Sequence, residues 1–514
     1  MNEEKLQTAE KKAAVEALLQ YALNKGLLQH DDAAYSRNLL YGLIKIPPSE
    51  VDQTIFSIPD ARAKNETVSS ILADLFAGAK TTTETDMLEA AAMGMLMPRP
   101  SEISKKFYED YSVSPALASD EFYKLCRAAN YIQVDRIRKN LFWRAQTEYG
   151  ELDITINLAK PEKDPRKIAL AKNAKQSEYP KCLLCTENVG FAGTHSHPAR
   201  QNLRVIPLTL GGERWYFQFS PYLYYDEHCI VLNEKHVPMK INRDTFVKLL
   251  QFANFLPHYF IGSNADLPVV GGSILSHDHF QGGRCDFPMN RAVPYARFEN
   301  SQFKSIKACA VKWPLTVIRL EAEDGGEGSC EQLADAAEKI LGMWRVYADE
   351  KAGVSPQSGD TPHNTITPIV RHNRSGKMEM DLVLRNNRAT DEHPYGLFHP
   401  HTERHHIKKE NIGLIEVMGL AILPGRLKTE LAEISRALSG KDYDGGDGSH
   451  AEWAAELLSR YGNKNAPETS EQIVRDETGA VFADVLRDCG VFKDDSSGRE
   501  SLKKFLLTAG FKSF

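Results

Sequence analysis

The pattern of apolar residues changes near residue 140 of this 514-residue chain, and this change limits what the chain can fold into. Earlier stretches such as Glu4–Leu28 carry apolar residues at helical spacing, whereas Leu152–Leu158 alternates apolar and polar residues as a half-buried strand does. Helical spacing returns after about residue 425. We therefore expect a strand-rich middle between two helical ends.

Two stretches of the middle have a similar order of elements, although no residue-level repeat links them. The first is predicted to hold a hairpin, a strand and a helix, at Leu203–Phe219, Cys229–Leu232 and Asn242–Phe255. The second is predicted to hold a strand, a helix and two strands, at Leu315–Leu320, Glu331–Ala352, Ile366–Arg371 and Met378–Leu384. This order predicts an α+β fold with an internal structural duplication. The predicted units are a helical N-terminal region, two halves and a helical C-terminal region, at 1–135, 136–300, 301–430 and 431–514.

The composition argues against several classes of function. Lys and Arg total 63 against 69 Asp and Glu, so the chain lacks the concentrated basic field that nucleic acids and anionic membranes require. Its first residues are acidic, unlike a secretory signal. Its longest apolar stretch, Ile412–Pro424, includes Glu416 and is too short to span a bilayer. We expect a soluble cytoplasmic protein that binds neither nucleic acid nor membranes.

Histidine is concentrated in the middle of the chain, where 14 of the 16 residues lie between His195 and His406. Imidazole supplies nucleophiles, general acids and metal ligands near neutral pH, so this region is the expected place of any chemistry. The eight cysteines are scattered and form no disulfide framework. Only Cys182 and Cys185 form a close pair.

The most informative stretch begins with a Gly-Gly-Ser sequence and continues to two histidines and a glutamine: Gly271, Gly272, Ser273, His277, His279 and Gln281. On a strand the last three would form one polar row. Glycines let backbone N–H groups approach an anion closely, and imidazole beside such a nest suits covalent phosphoryl or nucleotidyl transfer. The alternative is two surface histidines near a glycine turn, which the Gly-Gly-Ser prefix and the glutamine disfavour.

This combination resembles the signature of the galactose-1-phosphate uridylyltransferases, a family of the histidine-triad superfamily. Four further stretches favour the class II branch of that family: Pro161–Pro165, Tyr222–Cys229, Phe398–His406 and Ile412–Gly419. The resemblance extends over about residues 140–430, and the helical ends are similar to that branch as well. It implies two histidine-triad-like halves with antiparallel sheets, the first half carrying the nucleophile, flanked by helical N- and C-terminal segments.

The resemblance implies catalysis by His279, Gln281 and His277, with His279 as the nucleophile. His279 would attack the α-phosphorus of UDP-glucose, release glucose 1-phosphate and hold UMP until galactose 1-phosphate accepts it. Gln281 stands where hydrolases of the superfamily have a third histidine, which favours a transferase. Substrate contacts are expected from Asn264, Gly271, Gly272, Ser273, Lys160 and Arg166, the last two standing in for paired arginines of the class I branch. The sequence departs from the family pattern at Asp278 and Phe280, which replace a proline and a glycine.

A structural zinc site is a further expectation, since Cys182 and Cys185 have the spacing of half such a site. The class I branch completes it with two histidines, and His236 and His277 stand in the same order here. The site would hold the strand of His279 in place. The alternative is two buried free thiols. We expect no organic cofactor, and we expect a homodimer.

A second cluster of histidines consists of His393, His399, His401, His405 and His406. The preferred interpretation is loop histidines that face solvent and pair with Glu403 and Arg404, rather than a second metal site. A role in binding the sugar phosphate from a neighbouring subunit stays open. His195 and His197 line either the nucleotide pocket or a plain surface loop.

Two other functions stay open at this point. Another nucleotidyltransferase or a nucleotide phosphorylase of the same superfamily would share the covalent histidine and differ in its acceptor. A nucleotide- or metal-binding regulator would keep the fold without turnover.

Overall fold

The computed structural model describes residues 3–47, 67–159, 179–324, 326–443 and 448–513. Lys160, Arg166 and the stretch Pro161–Pro165 lie outside the described residues. The N-terminal helices are α1 (Glu3–Asn24), α2 (Ala33–Leu43), α3 (Val68–Leu75), α4 (Thr82–Leu96), α5 (Pro100–Val113), α6 (Pro115–Ala128) and α7 (Val134–Ile137). Later helices are α8 (Arg243–Phe255), α9 (Glu327–Arg345), α10 (Leu414–Val417), α11 (Leu427–Leu438), α12 (Ala451–Tyr461), α13 (Pro467–Cys489) and α14 (Ser496–Thr508).

The strands lie mainly between residues 141 and 423. Those before residue 300 are β1 (Leu141–Thr147), β2 (Gly150–Ile156), β3 (Ile206–Leu210), β4 (Glu213–Phe219), β5 (Cys229–Asn233), β6 (Phe260–Gly262), β7 (His279–Gly283) and β8 (Pro294–Glu299). The remaining strands are β9 (Ile306–Val311), β10 (Val317–Ala322), β11 (Gln357–Ser358), β12 (Thr361–Pro362), β13 (Asn364–His372), β14 (Met378–Asn386), β15 (Leu420–Leu423) and β16 (Lys512–Ser513).

Most strands belong to one eleven-stranded antiparallel sheet, in the order β16-β8-β9-β10-β14-β13-β6-β7-β5-β4-β3. A smaller sheet has the order β1-β2-β15, and its β15 runs parallel to β2. The short strands β11 and β12 form a hairpin. The large sheet carries His279 and Gln281 in its strand β7.

The large sheet consists of two halves with the same internal order. In the first, β3, β4 and β5 precede α8, and β7 then lies beside β5 with β6 next to it. In the second, β8, β9 and β10 precede α9, and β14 lies beside β10 with β13 next to it. The halves join where β6 pairs with β13, at Gly262 opposite Ile369. The predicted α+β class with two antiparallel halves and helical termini is confirmed, while the exact unit boundaries stay a prediction.

Helix α9 differs from its predicted range, Glu331–Ala352, because it ends at Arg345. The side chain of Asn364 in β13 donates hydrogen bonds to the carbonyl oxygens of Trp344 and Tyr347, at 2.7 and 2.9 Å. A side chain from a neighbouring strand thus satisfies carbonyl groups at the end of the helix. This partner is distant in the sequence, so helical periodicity alone does not predict the end.

The two faces of the large sheet pack against different layers. One face meets α8 and α9 in a core that contains Phe217, Phe246, Phe280, Leu320 and Trp344. The other face meets the small sheet, the segment around α10 and the helix α13 in a second core that contains Ile154, Ile369, Val383, Leu414 and Phe482. Because strand residues alternate between the two faces, strands of the large sheet contribute side chains to both cores.

A buried network of four charged side chains lies on the second face of the second half. Asp381 accepts two hydrogen bonds from Arg319, at 2.7 and 3.0 Å, and one from Arg371, at 2.7 Å. Arg371 also contacts Glu379. Burial alone would raise the pKa of Asp381, but the two guanidinium groups hold it below its ordinary value. The carboxylate is therefore charged and fully paired inside the protein.

We predict that Asp381→Asn lowers the free energy of unfolding by about 3–5 kcal/mol, because two buried guanidinium groups lose the carboxylate that they share. Urea unfolding followed by circular dichroism measures the effect. The matched control is Arg374→Ala, which removes an exposed ion pair with Asp286 and should change stability by less than about 1 kcal/mol. Equal unfolding midpoints for the two variants would contradict the prediction.

Candidate active site

Strand β7 presents His279 and Gln281 on one face and Phe280 on the other. The strand begins at His279, between β5 and β6, with Leu232 opposite His279 and Gly262 opposite Gln281. Phe280 stacks on Trp215 at a centroid distance of 4.8 Å, within the core under α8. The unusual Phe280 therefore anchors the strand from behind, and the histidine and the glutamine remain together on the opposite face.

The imidazole of His279 is held in one tautomer. Its Nδ1 lies 2.8 Å from the carbonyl oxygen of His277, which can only accept a hydrogen bond, so Nδ1 carries the proton. Burial lowers the pKa of His279 to about 4. At neutral pH the ring is therefore uncharged, and Nε2 is its basic, nucleophilic nitrogen.

His277 precedes β7, and its side chain turns towards the two thiols of the Cys-x-x-Cys pair. Its Nδ1 lies 3.2 Å from Sγ of Cys182 and 3.6 Å from Sγ of Cys185. The two sulfur atoms are 3.5 Å apart, and Nδ1 of His236 lies 3.2 Å from Sγ of Cys185. Each of these four residues offers one donor atom, all within 4.8 Å of one another.

The donor set fits a tetrahedral zinc ion. Bond lengths of about 2.3 Å to sulfur and about 2.0 Å to nitrogen imply donor separations of roughly 3.3–3.8 Å. Nε2 of His277 lies 2.8 Å from the carbonyl oxygen of Asn233, so Nδ1 is free of a proton as a metal ligand must be. Asn188 donates hydrogen bonds of 2.8 Å to the carbonyl oxygens of Cys182 and Cys185. A possible metal-binding cluster is thus present, as the sequence predicted.

The Gly-Gly-Ser segment lies beside Asn264. A Cβ atom on Gly272 would lie 2.7 Å from Nδ2 of Asn264, so only glycine permits this close approach. Oδ1 of Asn264 accepts a hydrogen bond of 2.9 Å from the backbone N–H of Leu414. Ser273 is exposed next to Gly272. The fold therefore brings Asn264, the glycines and the stretch 412–419 to one place.

Gln281 has a partner that the sequence did not predict. Its Oε1 lies 3.2 Å from Nε2 of His228, a residue that precedes β5. His228 lies in the stretch Tyr222–Cys229, which resembles the family, but this stretch gave no indication of a role. The contact depends on the pairing of β5 with β7, which places Ile230 opposite Gln281.

The second histidine cluster packs against α13. His401 lies 3.5 Å from Asp488 and its ring stacks on that of His393 at 4.4 Å. Arg404 pairs with Asp484. His399 is buried and not solvent-facing, and its Nε2 lies 3.2 Å from Oδ1 of Asn411. Within the part of the chain that the structure describes, the only group of metal-ligating side chains is the one formed by Cys182, Cys185, His236 and His277.

His195 and His197, which lie on one loop, have different surroundings. His197 hydrogen-bonds Oδ1 of Asn188 at 2.6 Å and so supports the Cys-x-x-Cys turn, whereas His195 is exposed. No helix among the described residues is long and apolar enough to cross a membrane.

Comparison with known proteins supports a family assignment. The N-terminal domain model of galactose-1-phosphate uridyl transferase matches residues 54–238, and the C-terminal domain model matches residues 252–444. The galactose-1-phosphate uridylyltransferases of Caldanaerobacter subterraneus subsp. tengcongensis and Bacillus subtilis are 51% and 47% identical to the chain, over 97% of it and 98% of each relative. That of Halalkalibacterium halodurans is 48% identical over 96% of the chain and 98% of the relative.

A crystal structure of yeast Ap4A phosphorylase Apa2 is similar at a TM-score of 0.32 and 12% identity, over 64% of the chain and 91% of that protein. Such a value is too low to transfer structure or function. The two domain models and the near-full-length relatives are sufficient by themselves. The chain belongs to the galactose-1-phosphate uridylyltransferase family.

Proposed function

We propose that this protein transfers UMP between UDP-glucose and galactose 1-phosphate, with UMP held covalently on Nε2 of His279. The observation that supports this most directly is the buried, uncharged imidazole whose Nδ1 proton is bound by the carbonyl oxygen of His277. The relatives named galactose-1-phosphate uridylyltransferase support the choice of substrates.

The reaction consists of two displacements at the α-phosphorus. In the first, Nε2 of His279 forms a bond to phosphorus, and the bond from phosphorus to the oxygen of glucose 1-phosphate breaks. In the second, a phosphate oxygen of galactose 1-phosphate attacks phosphorus and the bond to Nε2 breaks, giving UDP-galactose. The ring becomes positively charged in the adduct, and the hydrogen bond from Nδ1 to the carbonyl oxygen of His277 stabilises that charge.

The phosphate groups are proposed to bind beside Asn264, Gly271, Gly272 and Ser273. Backbone N–H groups and the amide of Asn264 are neutral donors, which bind phosphate oxygens without supplying a proton. Gln281 is proposed to do the same on the other side of His279. Contacts from Lys160 and Arg166 remain part of the proposal, outside the described residues.

A zinc ion is proposed at Cys182, Cys185, His236 and His277. A zinc ion held in this way is structural and fixes its ligands in place. The ion would act on the reaction only indirectly, by fixing His277. The backbone carbonyl of a fixed His277 would keep the imidazole of His279 in its reactive tautomer. No further cofactor is proposed.

The cytoplasm is the proposed location, since none of the eight cysteines, all of which the structure describes, forms a disulfide bond, as is usual in a reducing compartment. A homodimer without affinity for nucleic acid remains a prediction from the sequence.

We predict that incubation with UDP-glucose alone produces an acid-labile adduct of one UMP per chain, detected by intact mass spectrometry. His279→Ala should form no adduct and lose activity by a factor on the order of 10⁴ or more, because the attacking nitrogen is removed. The control is His30→Ala, which changes an exposed histidine near the N-terminus and should behave as the unchanged protein. Full activity in His279→Ala would refute the covalent mechanism.

We also predict that the enzyme exchanges labelled glucose 1-phosphate into UDP-glucose when no galactose 1-phosphate is present. A double displacement supports this exchange because its first half-reaction is reversible by itself. Three acceptors are then compared: galactose 1-phosphate, inorganic phosphate and water. Release of UDP with inorganic phosphate as the preferred acceptor would indicate a nucleotide phosphorylase instead, and tight binding of UDP-glucose without exchange would indicate a regulator.

Zinc removal is predicted to lower stability and activity together. Elemental analysis should find about one zinc per chain, and Cys182→Ser should lose it and unfold at a lower temperature, because metal binding contributes to folding. The control is Cys330→Ser, which removes a thiol distant from the cluster and should retain the metal. A metal-free protein of unchanged activity, prepared with a chelator, would exclude the role proposed for zinc.

A further inference from the structure

The amide of Gln281 is held by its carbonyl oxygen, and this bond determines what the rest of the amide offers to a substrate. We propose that His228 is a positioning residue for Gln281: it donates a hydrogen bond from Nε2 to Oε1, so that the NH2 group of Gln281 faces the phosphate that His279 attacks. This inference rests on the function proposed above and identifies a residue that acts through Gln281.

His228 is fixed by aromatic neighbours. Only 3% of the residue is exposed, and its ring lies 5.2 Å from that of Tyr224 and 4.8 Å from that of Tyr225. Tyr225 in turn donates a hydrogen bond of 3.0 Å to the carbonyl oxygen of Gly282 in β7. The imidazole therefore has a fixed orientation relative to the strand that bears Gln281.

The contacts of the ring determine which nitrogen carries the proton. Burial lowers the pKa of His228 to about 4, so the ring is uncharged at neutral pH and has a single N–H. Nε2 lies 3.2 Å from Oε1 of Gln281, whereas Nδ1 lies 3.4 Å from the carbonyl oxygen of Tyr222. The Nε2 contact lies within the usual N–H···O range of about 2.7–3.2 Å and the Nδ1 contact lies outside it, so we assign the proton to Nε2.

The opposite tautomer would reverse the amide. A proton on Nδ1 would leave Nε2 as an acceptor, and the NH2 group of Gln281 would have to turn towards it. Oε1 would then face the phosphate, and two negatively polarised oxygens would repel each other. Only a donor at Nε2 keeps both the hydrogen bond to His228 and a donor towards the substrate.

Asn264 shows the same arrangement without ambiguity. The backbone N–H of Leu414 can only donate, so the atom of Asn264 that it contacts at 2.9 Å must be Oδ1. Nδ2 therefore lies on the side of Gly272. Arg385 donates a hydrogen bond of 2.9 Å to the carbonyl oxygen of Ile412 and so supports the segment that carries Leu414.

Gln281 in β7 and Asn264, which follows the paired strand β6, thus both have their amide oxygens occupied by the protein. Their NH2 groups are oriented before the substrate binds, which avoids reorganisation when charge develops on the phosphate oxygens. In this arrangement the tautomer of the buried His228 determines whether Gln281 presents a hydrogen-bond donor or an acceptor to the substrate.

The test compares His228→Phe with His228→Gln. Phenylalanine keeps a ring between the two tyrosines and has no N–H, whereas glutamine restores an N–H donor. We expect His228→Phe to slow formation of the UMP adduct from UDP-glucose by about 10- to 100-fold, with a smaller change in KM, and His228→Gln to recover most of the rate. Tyr224→Phe, which keeps the aromatic ring and removes only a hydroxyl group, is the matched control and should retain the rate.

A double-mutant cycle separates positioning from a structural role. If His228 acts through Gln281, His228→Phe adds no further loss to Gln281→Ala, whereas independent effects multiply. Multiplied losses, or an unchanged rate in His228→Phe, would overturn this inference while the unchanged protein still forms the adduct. Absence of the adduct in the unchanged protein would instead refute the proposed function, and the inference with it.

Discussion

The hydrogen bond between Nδ1 of His279 and the carbonyl oxygen of His277 is the interaction on which the site depends. His277, two residues before His279, places its imidazole against two thiols. Gln281 follows two residues after His279. A single short segment therefore connects the cluster of cysteines and histidines, the proposed nucleophile and the amide proposed to face the phosphate. Any shift of His277 alters the setting of the proposed nucleophile, because the carbonyl that defines the tautomer of His279 belongs to His277.

Sequence patterns were sufficient for the architecture and for the residues close together in the chain. Alternation predicted a row of His277, His279 and Gln281; the last two lie in β7, whereas His277 precedes the strand and turns towards the thiols. The Cys-x-x-Cys spacing together with the resemblance to the class I branch predicted the cluster of Cys182, Cys185, His236 and His277, which the structure brings together. His228 and Leu414 could not be predicted in this way. Their roles arise from strand pairing and from a loop that crosses the sheet 150 residues after Asn264, and neither residue type at those positions indicates such a contact by itself.

The strand register relates the two halves residue by residue. Gly262 and Ile369 pair with each other where β6 meets β13, and they also pair with Gln281 and Asp381 of the neighbouring strands. Exchanging the halves therefore places Asp381 at the position of Gln281. By the same count of residues, Glu379 lies at the position of His279. In the second half, two carboxylates occupy the positions of His279 and Gln281 and pair with Arg319 and Arg371.

Because the register is shared, the two halves can differ in their side chains and keep the same backbone arrangement. The location of each row is a property of the backbone register, which both halves share, while its chemistry is a property of the side chains, which they do not share. One copy can therefore exchange chemistry for internal ion pairing without altering the scaffold of the other. The charged row also makes the second half dependent on mutual compensation, because its buried guanidinium and carboxylate groups balance one another's charge.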